Sequence, residues 1–389
     1  MRKFPLPATV FSASLLVLSA CASVPPTERG GPAGDSRSTR ADSSSDAPPL
    51  AWGGKDYAHP TLLRTMSTGD ASVWAIAFSP DGSKLATGGD SGLVRVWRTA
   101  DLLSPEPHAE LQLDRHHGRV HDLQFDADGR RLISAGRDGQ VIIWDLDRRE
   151  PERVFAHAWE IRAAALSPDG TRLVTGQLGG TGGHQMSTVH VWDVESGARL
   201  QSLEHHAPCA DLSFSPDGVM LALGLIDGEP SALVDVETWT DVLDLGPRRQ
   251  WANRVIFDAD GRHLALASVR SPLETTTVGS LRLWNARTGR ELAPIEPPTG
   301  PVGLAFTPGR DAIAASLPDE KRIVIYDLES RTALAELPGR AYTSLSFHPE
   351  GWTLAACSPI DGRVDLWIFG ADDSEPEASA EISPASAKP

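Results

Sequence analysis

The stretch VHDLQFDADGRRLISAGRDGQVIIWD, Val120 to Asp145, decides the fold. Apolar Val120, Leu123 and Phe125 lead into the Asp128-Gly129 pair, Leu132, Ile133 and Ser134 form a second extended run, and Arg137-Asp138-Gly139 turns the chain again. A third run, Val141 to Trp144, is β-branched and ends on an indole. Short apolar runs separated by Asp-Gly turns predict three antiparallel strands, because glycine reaches the positive φ that tight turns need. No helical period fits the segment.

The pattern recurs. The residue closing the first strand returns at Phe78, Phe125, Leu166, Phe214, Phe257, Phe306 and Phe347, at intervals of 41 to 49 residues. The residue closing the third strand keeps step at Trp97, Trp144, Trp192, Val234, Trp284, Tyr326 and Trp367. Seven units of this length, each with room for four strands, predict an all-β, seven-bladed β-propeller of four-stranded antiparallel blades. The last unit ends at Trp367-Ile368 with no fourth strand, and a spare strand-like segment, Thr61 to Met66, precedes the first unit. Pairing the two closes the ring and leaves no long sheet edge.

Ser-Pro-Asp-Gly at 79–82, 167–170 and 215–218, with Trp-Asp at 144–145 and 192–193, resembles the WD-repeat propellers over roughly residues 61 to 369. That resemblance implies that the fourth strand of each repeat lies outermost, in the blade begun by the previous repeat. It also implies that His116, Ser134, Asp138 and Trp144 form the buried tetrad of such blades. His, Ser and Asp together invite comparison with a catalytic triad, but four buried polar groups that satisfy one another are explained structurally. Repeat one keeps Thr87 and Trp97, with Asp90 displaced by one position; repeat three keeps His157, Thr175 and Trp192. Repeats four to seven carry Leu223, Leu266, Ala315 and Ala356 at the hydroxyl position, so apolar packing replaces the network there.

The ends read differently. Residues 1–20 carry Arg2 and Lys3, an apolar stretch from Val10 to Leu18, and Leu18-Ser19-Ala20 before Cys21, the layout of a signal peptide whose apolar part is too short for a permanent span. Leu-Ser-Ala-Cys resembles the bacterial lipoprotein signal, which implies a lipid on Cys21 and a place in the cell envelope, facing the periplasm or at the outer membrane. Residues 21–60 are then the lipidated cysteine and a Ser/Pro/Gly-rich tether, 61–369 the propeller, and 370–389 an acidic tail, since neither end has the apolar content to repay the entropy of ordering.

A net charge of −16, from 52 acids against 36 bases, makes nucleic acid a poor partner. Cys209 and Cys357 fall on blades across the ring and read as small core residues, not a disulfide. His108, His116, His117 and His121 are dense, but no Cys or carboxylate stands at ligand spacing, so no metal is expected. Gly179 to Gly183 lacks the Lys-Ser/Thr pair of a phosphate loop, and no nucleophile elbow or dinucleotide fingerprint occurs, so neither cofactor nor catalysis is expected. The loops after Leu173 and Leu264 are seven or eight residues longer than those of repeats one and two.

The expected function is a lipid-anchored scaffold for protein–protein interaction. The alternative is a periplasmic propeller enzyme, hydrolase- or lactonase-like, with a site in the central channel; it would need an inward ring of carboxylates and histidines, whereas Ala75, Ala77, Ala163 and Ala165 stand at first-strand positions. The WD-repeat resemblance implies partner contacts on the face of the fourth-to-first and second-to-third strand connections. Matching positions gives Trp74, Arg119, His121, Arg137, Glu160, Arg162, Trp251 and Asn253, a basic and aromatic group expected to be exposed and to suit an acidic protein segment or an anionic glycan.

Overall fold

A computed structural model of the chain describes residues 57–178, 189–203, 205, 207–226, 229–247, 250–270, 279–309 and 311–370. Cys21, His206, the glycine run at 179–183, the acidic tail after Gly370 and most of the two long loops lie outside the described residues.

Seven four-stranded antiparallel sheets are present, and each is one blade. In six of them the strands follow in chain order from the innermost outward, as in Val120–Phe125, Arg131–Gly136, Gln140–Asp145 and Glu150–Ala156 of blade 2. Blade 7 is completed from the other end of the chain: Pro60–Ser67 pairs antiparallel with Arg363–Phe369, in a register running from Pro60 opposite Phe369 to Ser67 opposite Arg363. The closure expected from the spare segment is therefore the observed one. The folded chain also starts earlier than composition suggested: Tyr57, placed in the tether, is buried edge-on against Phe347 and Phe369, at centroid distances of 6.1 and 5.3 Å.

Burial falls from the axis outward. The innermost strands Val73–Phe78, Ile161–Leu166 and Cys209–Phe214 are buried at every residue, while the outermost Thr240–Leu245 is mostly exposed. This gradient explains why inner strands read as continuous apolar runs and outer strands barely register in the sequence. Each of the seven seams between neighbouring blades holds its own apolar cluster, such as Val94, Val96, Val120 and Leu123 between blades 1 and 2. At about 1.5–3 kcal/mol for each large apolar side chain removed from water, these seams supply most of the cohesion of the ring. Cys209 and Cys357 are buried in them as free thiols.

Some seams carry a second kind of bond. An innermost strand has no partner on its axial edge, so its outward N–H groups need acceptors from elsewhere. Asp122 Oδ2 accepts from Ala164 N at 3.0 Å and Gln124 Oε1 from Leu166 N at 2.9 Å, tying blade 2 to blade 3. Asp211 Oδ2 and Ser213 Oγ do the same for Val255 N (2.7 Å) and Phe257 N (3.4 Å) between blades 4 and 5, and Ser346 Oγ for Phe78 N (3.0 Å) between blades 7 and 1. The equivalent positions elsewhere are Ala75 and Ala77, Ala163 and Ala165, Arg254 and Ile256, and Gly303 and Ala305.

Candidate functional site

In five blades the innermost strand slips register near its start, between Val73 and Ala75, Val120 and Asp122, Ile161 and Ala163, Cys209 and Asp211, and Ala252 and Arg254. The residue left over in each bulge is Trp74, His121, Arg162, Ala210 or Asn253. A bulge breaks the two-residue alternation and re-aims one side chain, here toward one mouth of the channel. Four of the eight positions matched as partner contacts are thus bulge residues, and the structure buries all four, at 7 % exposure for Trp74, 2 % for His121 and Arg162 and 4 % for Asn253. They pack the mouth and do not stand on its surface.

Their partners explain the burial. The Trp74 indole N–H reaches Ser72 Oγ at 3.3 Å, that hydroxyl donates to Asp90 at 2.5 Å, and the Arg119 guanidinium lies 3.6 Å over the Trp74 ring while its Nε donates to Asp90 Oδ1. Asp90, displaced by one position from the tetrad acid, has become the hub joining blade 1 to blade 2. Burial works against its charge, but the bonds from Ser72 and Arg119 hold its carboxyl below the usual range. On the next seam His121 Nε2 lies 2.6 Å from Glu160 Oε1, and Arg137 Nε is 3.7 Å from Glu160 Oε2. Burial pushes His121 down to about 4, so it is neutral at pH 7, and pushes Arg162 down to about 10. Asn253 donates to Pro301 O at 2.8 Å, and Trp251, partly buried, bridges to Ile226 of blade 4. Sequence reasoning thus places these residues around one mouth but misjudges which are accessible: Arg137 is 65 % exposed, and Arg119 and Glu160 only partly so.

One accessible residue was missed. Trp159, in the turn between Glu150–Ala156 and Ile161–Leu166, is 48 % exposed beside Glu160 and above the Arg137 turn. Its signal was an indole inside a polar turn, His157-Ala158-Trp159-Glu160, outside the strand pattern. The two turns touch because position 139 is glycine: at φ +77° a Cβ there would stand 2.8 Å from His157 O and 3.0 Å from Trp159 O.

The tetrad lies beneath this face. Trp144 Nε1 donates to Ser134 Oγ (2.8 Å), Ser134 bonds His116 Nε2 (2.7 Å), and His116 Nδ1 donates to the Asp138 carboxylate (3.0 Å). Asp138 accepts further from His117 N and Gln140 N, which with His116 outweighs burial and holds its carboxyl below the usual range. The Ser134 hydroxyl proton is spent on His116, and the imidazole is fully enclosed, so no substrate reaches the trio. Blade 3 repeats the scheme through Thr175, with His157 Nε2 at 2.9 Å and Trp192 Nε1 at 3.0 Å; His157 Nδ1 donates to Gly139 O in place of an acid. Blade 1 keeps only the Trp97 to Thr87 bond, at 3.0 Å.

The inward carboxylates are likewise engaged. Asp122 and Asp211 are buried as acceptors for neighbouring inner strands, and Asp211 also takes a bond from Arg254 Nη1 at 3.1 Å. Burial lifts Asp211 to about 6 even so. Among the described residues no three His, Cys, Asp or Glu side chains gather as a metal site requires, and no helix is long and apolar enough to cross a membrane.

Comparison with known proteins agrees with this geometry. The WD40 model (WD domain, G-beta repeat) matches residues 60–98 and 109–145, each stretch starting on an outermost strand and ending on the third strand of the following blade. Protein HIR1 of Gibberella zeae is 24 % identical over 361 residues, covering 77 % of this chain and 34 % of the relative. Protein HIR1 of Chaetomium globosum is 23 % identical over 358 residues, covering 76 % and 32 %. Protein groucho of Drosophila melanogaster is 30 % identical over 157 residues, 40 % of this chain and 20 % of that protein. The chain therefore spans about a third of the length of the fungal relatives it matches. The phase of the two matched repeats agrees with the strand order: the chain is a seven-bladed β-propeller, and residues 60–98 and 109–145 of it match WD40 repeats.

Proposed function

We propose that this propeller is an interaction scaffold that docks an acidic protein or peptide segment on the tetrad-acid face over blades 2 and 3, and that a lipid on Cys21 holds it in the cell envelope. The observation that carries the docking site is Trp159, a half-exposed indole flanked by the 65 %-exposed Arg137. Trp and Arg dominate binding hot spots because they join large contact area to directional donors. The loose 3.7 Å pairing of Arg137 with Glu160 leaves its guanidinium fork free to turn to a partner carboxylate. On a chain of net charge −16 such a site is locally distinctive, and it would hold an acidic segment by short-range pairing with the Arg137 guanidinium. The enclosure of His116 and Ser134 and the engagement of Asp122 and Asp211 speak against the channel-enzyme alternative.

The test is capture by crosslinking, comparing the parent with Trp159→Ala/Arg137→Ala. The pair should lose the captured partner while melting within about 1 °C of the parent, since exposed substitutions usually change stability by less than about 0.5 kcal/mol. Undiminished capture moves the docking surface elsewhere.

A further inference from the structure

The channel has a second, quite different mouth on the opposite face, among the turns that join innermost to second strands. Six blades enclose there a cavity of about 480 Å³. Its wall is apolar, with Phe214, Phe257 and Phe306 beside Pro168, Pro216 and Pro308. The acids at its edge are committed: Asp126 accepts from the amides of Arg130 and Arg131, and Asp258 from those of Arg262 and His263. Phe257 and Phe306 are only partly buried, so the mouth suits an apolar ring and not an ion.

The described residues start beside this cavity. Tyr57 packs edge-on against Phe347, which lines it, and the buried Tyr57 hydroxyl lies beside Thr307 and Gly309. Thr307 and Pro308 belong to the cavity wall. A Cβ at Gly351 would stand 3.1 Å from the Tyr57 hydroxyl and 3.6 Å from Pro308 Cδ, so the tyrosine ring and the wall converge on the same turn. The chain before Tyr57 therefore departs from the edge of the cavity, where blades 6 and 7 meet.

That chain reads Ala51-Trp52-Gly53-Gly54-Lys55-Asp56. Ten of the eleven tryptophans stand within residues 57–370, and Trp52, outside the described residues, is the other. Five residues reach at most about 17 Å when extended, enough to carry an indole from Tyr57 into the mouth. The Gly53-Gly54 pair admits the positive φ of a tight reversal. An indole buries about 150–250 Å² and needs one acceptor for its N–H, and Ser215, Asp258 and Thr307 bring oxygens to the lining.

We propose that Trp52 is an intramolecular stopper, its indole seated in the phenylalanine and proline cavity of this chain's own channel and held near it by the Tyr57 wedge. The stoppered channel opens only on the Trp159 face. Because the stopper acts on the opposite face, it stands independently of the docking surface.

The full chain carrying Cys21→Ser and Ala259→Cys places one reactive thiol in the cavity wall, since Cys209 and Cys357 are fully buried. Alkylation by iodoacetamide, read by mass spectrometry, should be slower by about tenfold or more than in the same chain with Trp52→Ala, as expected when the open form is a minor population. Trp52→Phe, which keeps an apolar ring, should retain most of the protection. Protection should hold constant over about a hundredfold range of protein concentration, because a tethered group has a fixed effective concentration. Equal rates with and without Trp52 overturn the proposal, as does protection that grows with concentration, the mark of a second copy. If Ala259→Cys fails to fold, Trp52→p-benzoylphenylalanine in the otherwise unchanged chain decides. Irradiation should join it, within one chain, to peptides containing Phe257 or Phe306; crosslinks that miss these peptides, or that join two chains, overturn the stopper.

Discussion

Replacing Ser134 by Ala removes one oxygen that two buried groups depend on. Trp144 Nε1 at 2.8 Å and His116 Nε2 at 2.7 Å both lose their partner, and neither reaches water, since Ser134 is fully buried and Trp144 is 2 % exposed. At about 1–3 kcal/mol for each orphaned buried group, with partial relaxation, the loss should be about 3 kcal/mol. An unfolding entropy of about 2.1 cal/mol/K per residue over roughly 310 folded residues gives about 0.65 kcal/mol/K, so the melting temperature should fall by about 4–5 °C. Calorimetry and urea titration measure this, and Trp144→Phe supplies the second arm of a double-mutant cycle. With no indole N–H left to satisfy, Ser134→Ala should cost less in the Trp144→Phe background, by about 1 kcal/mol or more. A melting point within 1 °C of the parent, or strictly additive losses, would refute the reading of these residues as one network.

Deleting residues 57–67 strips the outermost strand and the Tyr57 wedge from blade 7, and should lower the melting temperature more than any tetrad substitution, whereas deleting 22–50 should leave it unchanged; equal melting of the two deletions would contradict the closure. Burial holds His157 neutral down to about 4, so between about pH 6.5 and 4 the unfolded chain takes up a proton that the folded chain refuses, and stability falls with pH over that window. This one group should cost about 2 kcal/mol between pH 7 and 4.5, read as a urea midpoint, and His157→Gln should flatten that limb. Trp74→Ala and Arg162→Ala should each destabilise the ring by more than about 2 kcal/mol, because both are buried; unchanged melting would return them to the surface. Cys21→Ser should release the protein from the membrane fraction, and recovery there with unchanged electrophoretic mobility would remove the lipid anchor from the proposal.

The phase of the seven units was legible because each blade repeats the same burial gradient: Phe78, Phe125 and Phe347 close inner strands at the same depth, and Trp97, Trp144 and Trp367 close third strands opposite Leu85, Leu132 and Leu354. The tetrad was legible for the same reason, its members having fixed offsets within a unit. Accessibility at the channel mouth was not. A bulge inserts one residue without altering composition, so Trp74 and Arg162 look like surface residues of a strand start until the register slip turns them inward. Tyr57 was lost to its neighbours, since a single aromatic in a polar stretch carries no period, and its partners Phe347 and Phe369 lie about 300 residues along the chain. Trp159 was passed over because it belongs to a turn, where no periodicity marks it as exposed or buried.

The amides bridged from one inner strand to the next give the ring a rhythm that an odd number cannot complete. Among the described residues, ties to inner-strand amides run from blade 2 to 3, from 4 to 5 and from 7 to 1, while blade 6 shows none on either flank, beside Ile256 on one side and with its own Gly303 and Ala305 facing the other, and meets blade 5 instead through the Asn253 bond to Pro301 O. Its inner strand, Leu304–Phe306, is also the shortest of the described inner strands, at three residues. In an architecture whose stability is a sum of nearest-neighbour couplings, a breathing motion starts at the least coupled member. Amide exchange should accordingly be fastest for the inner strands at blade 6, and the ring behaves as a clasp whose natural gate lies nearly opposite the tetrad of blade 2 and next to blade 7, where the strand exchange joins its two ends.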